Sequence, residues 1–413
     1  MSRIGIFGGS FNPPHKAHRA IVRAVKEQYD LDTVYFLPSA KPPHKSNDEM
    51  VSDDHRFRMV RFLIDSMDDD DVKISDFELK KGGISYTHET LESWKNNYPG
   101  DELFFIMGGD SLETFDTWRE PEKITKYATL LVVPRMGMSD SELEKLCKNR
   151  SKQFGGSFLP VKIKSKYSLI SSTVIRKKFA DGIDMPEGIS RRVWRYIRLH
   201  GLYGCELLKY SKPPDHKELR WCLKSTLRPK RLKHTIGVAE TAQMLGNLYS
   251  NGEATFAWRA ELAGMLHDCA KYYSDNEQIA LCDEYGIELT KTERENPSLI
   301  HAKLGAYLAR ERYGVNDEEI LSAIRLHTVG KPDMTTLEKI IYISDYIEPG
   351  RDIPTALHPL KVIREKVRHD LDGALIDVVE NTIEYLGNSG RVIDEGSLDT
   401  WKYYSQKKGQ DYD

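Results

Sequence analysis

The sequence predicts an α/β domain built on a doubly wound parallel sheet, followed by an all-α domain. Over residues 1–204, apolar strand-like runs alternate with amphipathic helical segments, a pattern typical of a doubly wound sheet. Beyond residue 215 the strand signals almost vanish, and helix-length periodic segments continue to residue 405. Prolines 213 and 214 stand among charged residues between these parts, so residues 205–215 are predicted to be a linker joining domains 1–204 and 216–405.

Five apolar or β-branched runs predict the strands of the first domain, and the segments between them predict helices. The strand candidates are residues 4–7, 33–39, 72–79, 102–110 and 129–135. The helix candidates include residues 15–29, 56–67 and 87–98. Ligands of such sheets bind beyond the carboxyl ends of the strands, so candidate site residues are expected there.

The charge, the cysteines and the lengths of the apolar runs indicate which classes of protein to expect. Lys and Arg number 60 against 63 Asp and Glu, a net charge of −3 that gives no reason to expect a nucleic-acid partner. The five cysteines lack any CxxC spacing, so reduced thiols are expected. No apolar run is long enough to span a bilayer, and no signal peptide is evident. We therefore expect a cytoplasmic protein without a membrane partner; a homo-oligomer is compatible with the sequence.

The junction between the first strand and the first helix predicts a nucleotide site. Gly8 and Gly9 would let a phosphate approach the backbone closely, and the helix start supplies unpaired N–H groups. His15 and His18, three residues apart, share one face of the first helical turn. Two imidazoles beside an anion-binding helix start indicate nucleotide chemistry.

A second signature closes the first domain at Ile170–Arg176. Ser171 can cap a helix that ends near Gly182, so hydroxyls, free N–H groups and the Arg176 guanidinium would converge on an anion. Together with residues 8–18, this segment resembles the HxGH nucleotidyltransferase superfamily. Ala17 stands where the usual string has Gly, a mild departure because Ala is nearly as small.

Within that superfamily the first domain looks like the nicotinate-mononucleotide adenylyltransferases. The resemblance implies transfer of AMP from ATP, with Mg²⁺, to nicotinate mononucleotide, giving deamido-NAD and pyrophosphate; His15, His18 and Arg176 would be catalytic. The ATP-binding residues it implies are Gly8, Gly9, Ser10, Phe11, His15, His18, Ser171, Ser172, Thr173 and Arg176. The residues it implies for the mononucleotide are Lys45 at its phosphate, Tyr86 and Thr87 at its carboxylate, Asp110 at its ribose and Trp118 on its ring.

The second domain carries six metal-ligand types within helical apolar patterns: His234, His267, Asp268, His301, His327 and Asp345. Imidazole and carboxylate suit divalent first-row metals, and burying so many polar groups without a metal would be costly.

This spacing resembles the HD-domain phosphohydrolases, most closely the branch of symmetrical diadenosine-tetraphosphate (Ap4A) hydrolases. The resemblance implies one metal on His234, His267, Asp268 and Asp345, with Asp268 bridging to a second on His301 and His327. Iron is the metal it favours, with manganese or cobalt as alternatives. Lys271, in a catalytic role, and Arg351 would neutralise phosphate charge while Ap4A is cleaved to two ADP.

Three alternatives stay open at the level of sequence. The helical domain could be a nucleotide-sensing module without catalysis. It could instead hydrolyse nucleoside monophosphates, dNTPs or guanosine tetraphosphate. The first domain could also transfer AMP to a different phosphate acceptor.

Overall fold

The computed structural model describes residues 1–40, 50–134, 137–163, 170–353, 356–390 and 393–410. The chain divides into two compact units, Met1–Leu208 and Lys209–Asp413. Each unit has its own architecture, the first α/β and the second helical.

The first unit is built on six parallel strands in the spatial order β3-β2-β1-β4-β5-β6. Their bounds are β1 Arg3–Gly9, β2 Thr33–Pro38, β3 Val72–Ile74, β4 Glu102–Gly108, β5 Thr129–Val133 and β6 Phe158–Pro160. The strand order reverses between β1 and β4, which are paired with Phe7 opposite Ile106. Crevices for ligands form beyond the carboxyl ends of strands at such a reversal. The predicted doubly wound parallel sheet is therefore confirmed.

Nine helices surround this sheet in the described residues: α1 Lys16–Tyr29, α2 Asp53–Ile64, α3 Phe77–Lys81, α4 Thr87–Asn97, α5 Gly109–Glu113, α6 Pro121–Tyr127, α7 Asp140–Phe154, α8 Ser172–Ala180 and α9 Arg191–His200. Apolar cores form on both faces of the sheet, because residues such as Ile6 and Phe7 alternate between them along β1. The central strands β1, β4 and β5 are consequently buried on both sides.

The expectation of a strand over residues 72–79 is wrong in its second half. β3 pairs with β2 only as far as Ile74, and residues 77–81 form the short helix α3. The Glu78 carboxylate accepts a hydrogen bond from the Thr90 hydroxyl at 2.8 Å and is buried. The chain therefore turns inward at the sheet edge instead of continuing the ladder.

The second unit contains eleven helices in the described residues: α10 His216–Thr226, α11 Pro229–Leu248, α12 Phe256–Leu266, α13 Asp275–Glu284, α14 Lys291–Glu295, α15 Ile300–Glu311, α16 Glu318–Leu326, α17 Thr336–Ile347, α18 Leu360–Lys366, α19 Leu371–Asn388 and α20 Glu395–Gln410. The predicted all-α fold is confirmed for this unit. Close packing of α11 on α12 depends on small residues: a Cβ at Gly264 would lie 2.8 Å from the Ala239 Cα. Across the described chain, none of the helices combines the length and apolarity that a bilayer crossing requires.

Candidate active sites

A cavity of about 600 Å³ opens at the carboxyl edge of β1 and β4. Gly8, Gly9 and Ser10 form part of its wall, and a Cβ at Gly9 would lie 3.1 Å from the Phe11 ring. Tyr86, Thr87 and Trp118 line the same cavity, together with Ser39, Glu78, Ser85, Phe105, Ile106, Met107, Gly108, Ser111, Thr117, Arg119 and Ile124. The structure thus brings the predicted phosphate loop and the predicted pyridine-binding residues into one cavity.

His15 and His18 lie at the start of α1 with their rings stacked, the centroids 3.7 Å apart. The His15 backbone N–H donates to His18 Nδ1 at 3.0 Å. Because Nδ1 accepts, neutral His18 carries its proton on Nε2 and can present an N–H donor to an anion. Burial lowers the pKa of His15 to about 3, so that imidazole is neutral near pH 7. Phe11 is buried, and its ring meets the His18 ring edge-on at 5.0 Å.

The start of α8 is tied to the loop that leads into His15. Ser171 accepts from the Val174 N–H at 3.3 Å and caps the helix, as its sequence predicts. Ser172 Oγ donates to the Pro13 carbonyl at 2.9 Å, and Arg176 Nη1 donates to the Asn12 carbonyl at 2.9 Å. The two signatures of the first unit therefore meet through backbone carbonyls. Ser171 and Thr173 themselves are exposed.

Arg56 supports this loop and escaped sequence reasoning. Its side chain is fully buried and donates to the carbonyls of Ser10 at 2.9 Å and Ala40 at 3.3 Å, while pairing with Asp53. A guanidinium therefore joins the segments that follow β1 and β2. The helical spacing of the sequence could have identified it, because Arg56 falls on the same buried face of α2 as Met59, Val60 and Leu63.

One predicted mononucleotide residue, Asp110, does not line the cavity. Asp110 is exposed in the first turn of α5, directly after β4, and is not among the described lining residues. Lys45 lies outside the described residues. Trp118 packs on Phe115, with ring centroids 5.4 Å apart, and Phe105 approaches it edge-on at 6.3 Å.

In the second unit, the six predicted ligands gather around the Asp268 carboxylate. Oδ2 faces one set of imidazoles, lying 3.4 Å from His267 Nε2 and 3.8 Å from His234 Nε2. Oδ1 faces another, lying 3.2 Å from His301 Nε2 and 3.9 Å from His327 Nε2. The remaining ligand, Asp345, places Oδ1 2.9 Å from His234 Nε2 and 3.8 Å from His267 Nε2.

The helices place these ligands differently from the sequence expectation. His234, His301 and Asp345 lie within α11, α15 and α17. His267 and His327 instead terminate α12 and α16, and Asp268 begins the turn after α12. Lys271, predicted to be catalytic, also lies in that non-helical turn. The buried ends of short helices thus carry half of the cluster.

Hydrogen bonds fix each imidazole with Nε2 aimed into the cluster. The Nδ1 atoms of His267, His301 and His327 lie 2.7, 2.7 and 2.6 Å from the backbone carbonyls of Gly264, Ser298 and Ile324. A carbonyl only accepts, so each Nδ1 donates and each neutral ring has a lone pair on Nε2. The Nε2 atoms of His301 and His327 lie 3.1 Å apart, where two lone pairs would repel each other unless a cation or proton lies near them.

The electrostatics of the cluster suit a cation. Burial lowers the pKa values of His301 and His327, to about 3 for His327, which keeps their lone pairs available at neutral pH. Burial alone would raise the pKa of Asp268, but the facing imidazoles of His267 and His301 hold it well below its ordinary range. The Nε2 atoms of His234 and His267 are buried and make no hydrogen bond within the described residues. Burial alone would lower the pKa of His267, but the facing carboxylates of Asp268 and Asp345 raise it. Imidazoles arranged around charged carboxylates fit divalent metals.

Glu348 completes the site and was missed by sequence reasoning. Its buried Oε1 lies 3.2 Å from His234 Nδ1. The carboxylate accepts a hydrogen bond from the Nδ1–H group, which directs Nε2 into the cluster. A Cβ at Gly237 would lie 2.5 Å from Glu348 Oε2, so this packing requires glycine there. The spacing gave a usable signal, since Glu348 follows Asp345 by three residues.

The two predicted phosphate-binding residues lie in different surroundings. Arg351 lines a cavity of about 560 Å³ together with Arg228, Lys230, Arg231, Lys233, His234, Glu348 and Gly350, and its Nη2 lies 3.1 Å from Asp345 Oδ1. Lys271 is not among the described residues of this cavity, and its ammonium donates to the Ser298 carbonyl at 3.4 Å. Burial lowers the pKa of Lys271. Arg231, three residues before His234, also lies 2.8 Å from Asp268 Oδ2.

A third group of donor atoms, on His358, Asp377 and Glu380, has a simpler explanation. The Lys366 ammonium pairs directly with Asp377, and His358 Nε2 lies 2.7 Å from Glu380 Oε2. The group contains one imidazole, against four around Asp268, and its carboxylates face a lysine and that imidazole. This group is an ion-pair network that ties the segment before α18 to α19.

Comparison with known proteins agrees with this geometry. A cytidylyltransferase-like family model matches residues 6–178, and an HD domain model matches residues 231–350. The first unit is 36% identical over 203 residues to a probable nicotinate-nucleotide adenylyltransferase of Clostridium botulinum, covering 49% of this chain and 98% of that protein. The second is 40% identical over 188 residues to a symmetrical bis(5′-nucleosyl)-tetraphosphatase of Halalkalibacterium halodurans, covering 43% of this chain and 91% of that protein.

A solved structure from Clostridium acetobutylicum, described as a "predicted HD superfamily hydrolase involved in NAD metabolism", is 34% identical and covers 47% of this chain and 99% of its own, with a TM-score of 0.44. The sequence relatives each span one unit nearly end to end. The chain therefore belongs to two enzyme families at once, the nicotinate-nucleotide adenylyltransferases through its first unit and the HD-domain symmetrical bis(5′-nucleosyl)-tetraphosphatases through its second.

Proposed function

We propose that the protein is bifunctional. Its first unit transfers AMP from ATP to nicotinate mononucleotide, giving deamido-NAD and pyrophosphate. Its second unit hydrolyses Ap4A symmetrically to two ADP. A cytoplasmic location is part of the proposal, and the five free cysteines support it.

The observation that carries the transferase proposal is the single cavity shared by the Gly8–Ser10 loop and the Tyr86–Trp118 region. ATP phosphates would lie along the loop and the start of α1, where His18 offers an Nε2–H donor. Arg176 and the α8 start would add positive charge beside the Asn12–Pro13 turn. The acceptor phosphate then attacks the α-phosphorus in line, and pyrophosphate leaves.

No protein nucleophile is needed for that step. Catalysis comes from alignment and from donors aimed at the charge that develops on the transferring phosphoryl group. Since Nδ1 of His18 accepts the His15 N–H, the Nε2–H group is the one that can donate a hydrogen bond to the phosphoryl group. Mg²⁺ accompanying ATP would reach the site mainly through phosphates and water.

The observation that supports the hydrolase proposal is that the two carboxylate oxygens of Asp268 face two different pairs of imidazoles. Oδ2 belongs with His234 and His267, and Oδ1 with His301 and His327. We propose that His234, His267, Asp268 and Asp345 hold one divalent metal and that Asp268 bridges to a second on His301 and His327. Such a pair supplies an activated water and clamps the phosphate under attack.

The surrounding residues explain what the chain itself contributes. Carbonyls and Glu348 hold four imidazoles in the ligating tautomer. Arg351 and the basic start of α11 offer cations to the polyphosphate that extends from the attacked phosphorus. Iron is our first choice of metal, with manganese and cobalt as alternatives, because all three suit imidazole and carboxylate donors.

Product analysis tests both halves on the full-length protein. With ATP and nicotinate mononucleotide, chromatography should show deamido-NAD and pyrophosphate in equal amounts. With Ap4A, it should show ADP as the sole nucleotide product, with metal analysis giving two metals per chain. AMP and ATP as the Ap4A products, or no preference for Ap4A over dNTPs and nucleoside monophosphates, would contradict the hydrolase proposal.

A further inference from the structure

Arg119 is the one positively charged residue among the described residues that line the first unit's cavity. Its guanidinium lies over the Tyr86 ring, 4.8 Å from the centroid, and it makes no hydrogen bond or ion pair with the described part of the chain. Stacking on an aromatic face fixes the plane of a guanidinium while leaving its N–H edges available. The cation is thus held at the cavity wall with its donors unused.

Glu89 and Glu120 interact electrostatically with Arg119, but neither forms an ion pair with it in the described part of the chain. Glu89 pairs with Lys81, and Glu120 pairs with Lys123 at the surface. Glu78, which lines the cavity, accepts from Thr90 Oγ1, and burial raises the pKa of its carboxyl group. Each nearby carboxylate therefore has its own partner.

The start of α4 adds a second source of positive potential at the same wall. Tyr86 occupies the N-cap position, and its side chain makes no capping hydrogen bond. The N–H groups of the first turn, beginning at Thr87, consequently lack a side-chain acceptor while Thr87 itself lines the cavity. Arg119 over Tyr86 lies beside this helix start.

The rest of the wall suits a flat ring. Tyr86, Trp118 and Phe105 contribute aromatic surface, and Ile106 and Ile124 contribute aliphatic surface. A planar heteroaromatic group could lie against these side chains while a charged substituent at its edge meets Arg119 and the α4 N–H groups. A neutral substituent would gain much less from a cation and a helix start.

We propose that Arg119 is a specificity-determining residue whose guanidinium, with the start of α4, selects an acceptor nucleotide bearing a carboxylate on its ring over one bearing a carboxamide. This rests on the proposed transferase function of the first unit. It assigns the choice between nicotinate and nicotinamide mononucleotides to a side chain, and the Tyr86 ring is what holds that side chain in place.

The test is the ratio of kcat/KM for the two mononucleotides at saturating ATP. Arg119→Gln should lower kcat/KM for nicotinate mononucleotide about tenfold or more, mainly through KM, because a charge-assisted hydrogen bond is lost. The value for nicotinamide mononucleotide should stay within about twofold. Arg119→Lys should retain part of the discrimination. Lys126→Gln, an exposed cation on α6 outside the cavity lining, is the matched control.

Equal losses with both acceptors would overturn the proposal, since they would indicate a structural role. An unchanged ratio in Arg119→Gln would overturn it as well. If the wild-type protein transferred AMP to neither acceptor, the proposed function would fail on its own. Calorimetric binding of the two mononucleotides to wild type and Arg119→Gln would then still decide whether Arg119 prefers the acid.

Discussion

The two candidate sites solve the problem of binding phosphates in opposite ways. In the first unit, the Gly8–Ser10 backbone and the start of α4 share the cavity wall with aromatic and aliphatic side chains. In the second, six buried side chains converge, each imidazole held by a carbonyl or carboxylate. The first site needs only its substrates to be complete, whereas the second is built around cations that the protein must acquire. Removing one group should therefore damage them to different extents.

The largest effect is expected from the residue on which both metal groups depend. Asp268→Asn should reduce Ap4A hydrolysis by about a thousandfold, since losing a bridging carboxylate removes several kcal/mol of charge stabilisation. Metal content should fall in parallel, while AMP transfer by the first unit stays near wild type. Asp377→Asn, which alters a buried carboxylate outside the cluster, should leave metal content unchanged. Full metal occupancy in the Asp268→Asn variant would contradict the proposal that Asp268 bridges two metals.

A smaller loss is expected at the donor-based site. His18→Ala should slow AMP transfer by about a hundredfold, the usual cost of removing one preorganised donor to developing charge. Hydrogen exchange of the β1 and β4 amides in wild type and His18→Ala serves as the control for folding of the first unit. Steady-state rates with nicotinate mononucleotide and ATP provide the measurement. Transfer at the wild-type rate would show that His18 does not meet the reacting phosphate.

The outer contacts of the metal cluster should matter less than the ligands. Glu348→Gln should weaken metal affinity about tenfold, because the neutral amide orients His234 less firmly and makes it a poorer donor. Titration of metal-free protein with Mn²⁺ measures this. Gly237→Ala should act in the same direction by displacing Glu348. Glu338→Gln, a buried carboxylate that accepts from Ser322, is the control, and equal losses there would remove Glu348 from the site.

A separate effect, on stability and not on catalysis, is a pH dependence expected in the first unit. Burial lowers the pKa of His15 from 6.5 to about 3. Below pH 6.5, therefore, the His15 imidazole becomes protonated in the unfolded chain but stays neutral in the folded unit. The free energy of unfolding should therefore fall by about 1.4 kcal/mol per pH unit between those values from this group. His15→Asn should remove that share of the slope. Hydrogen exchange of β1 and β4 amides at pH 7, 6 and 5 would measure it, and identical slopes would contradict a neutral buried His15.

Much of the fold and of the two candidate sites was predictable from the sequence, because both depend on local sequence patterns. Alternating strand and helix periodicities gave the doubly wound sheet, and the loss of strand signals gave the helical second unit. The six ligand types and their spacing predicted the second site, and the structure gathers all six. The helix over residues 77–81 was missed, because a buried hydrogen bond between Glu78 and Thr90 outweighs a short β-prone run.

The sequence by itself determined which residue types each site would contain, since glycine loops, capped helix starts and spaced histidines follow from near neighbours in the chain. Only the tertiary structure decided how those residues are oriented. Arg56 joins Ser10 to Ala40, Glu348 turns His234, and Arg119 lies over Tyr86, each through contacts between segments far apart in sequence or across a turn. Orientation depends on such packing, because a side chain's hydrogen-bond partners are set by whatever the folded chain places against it.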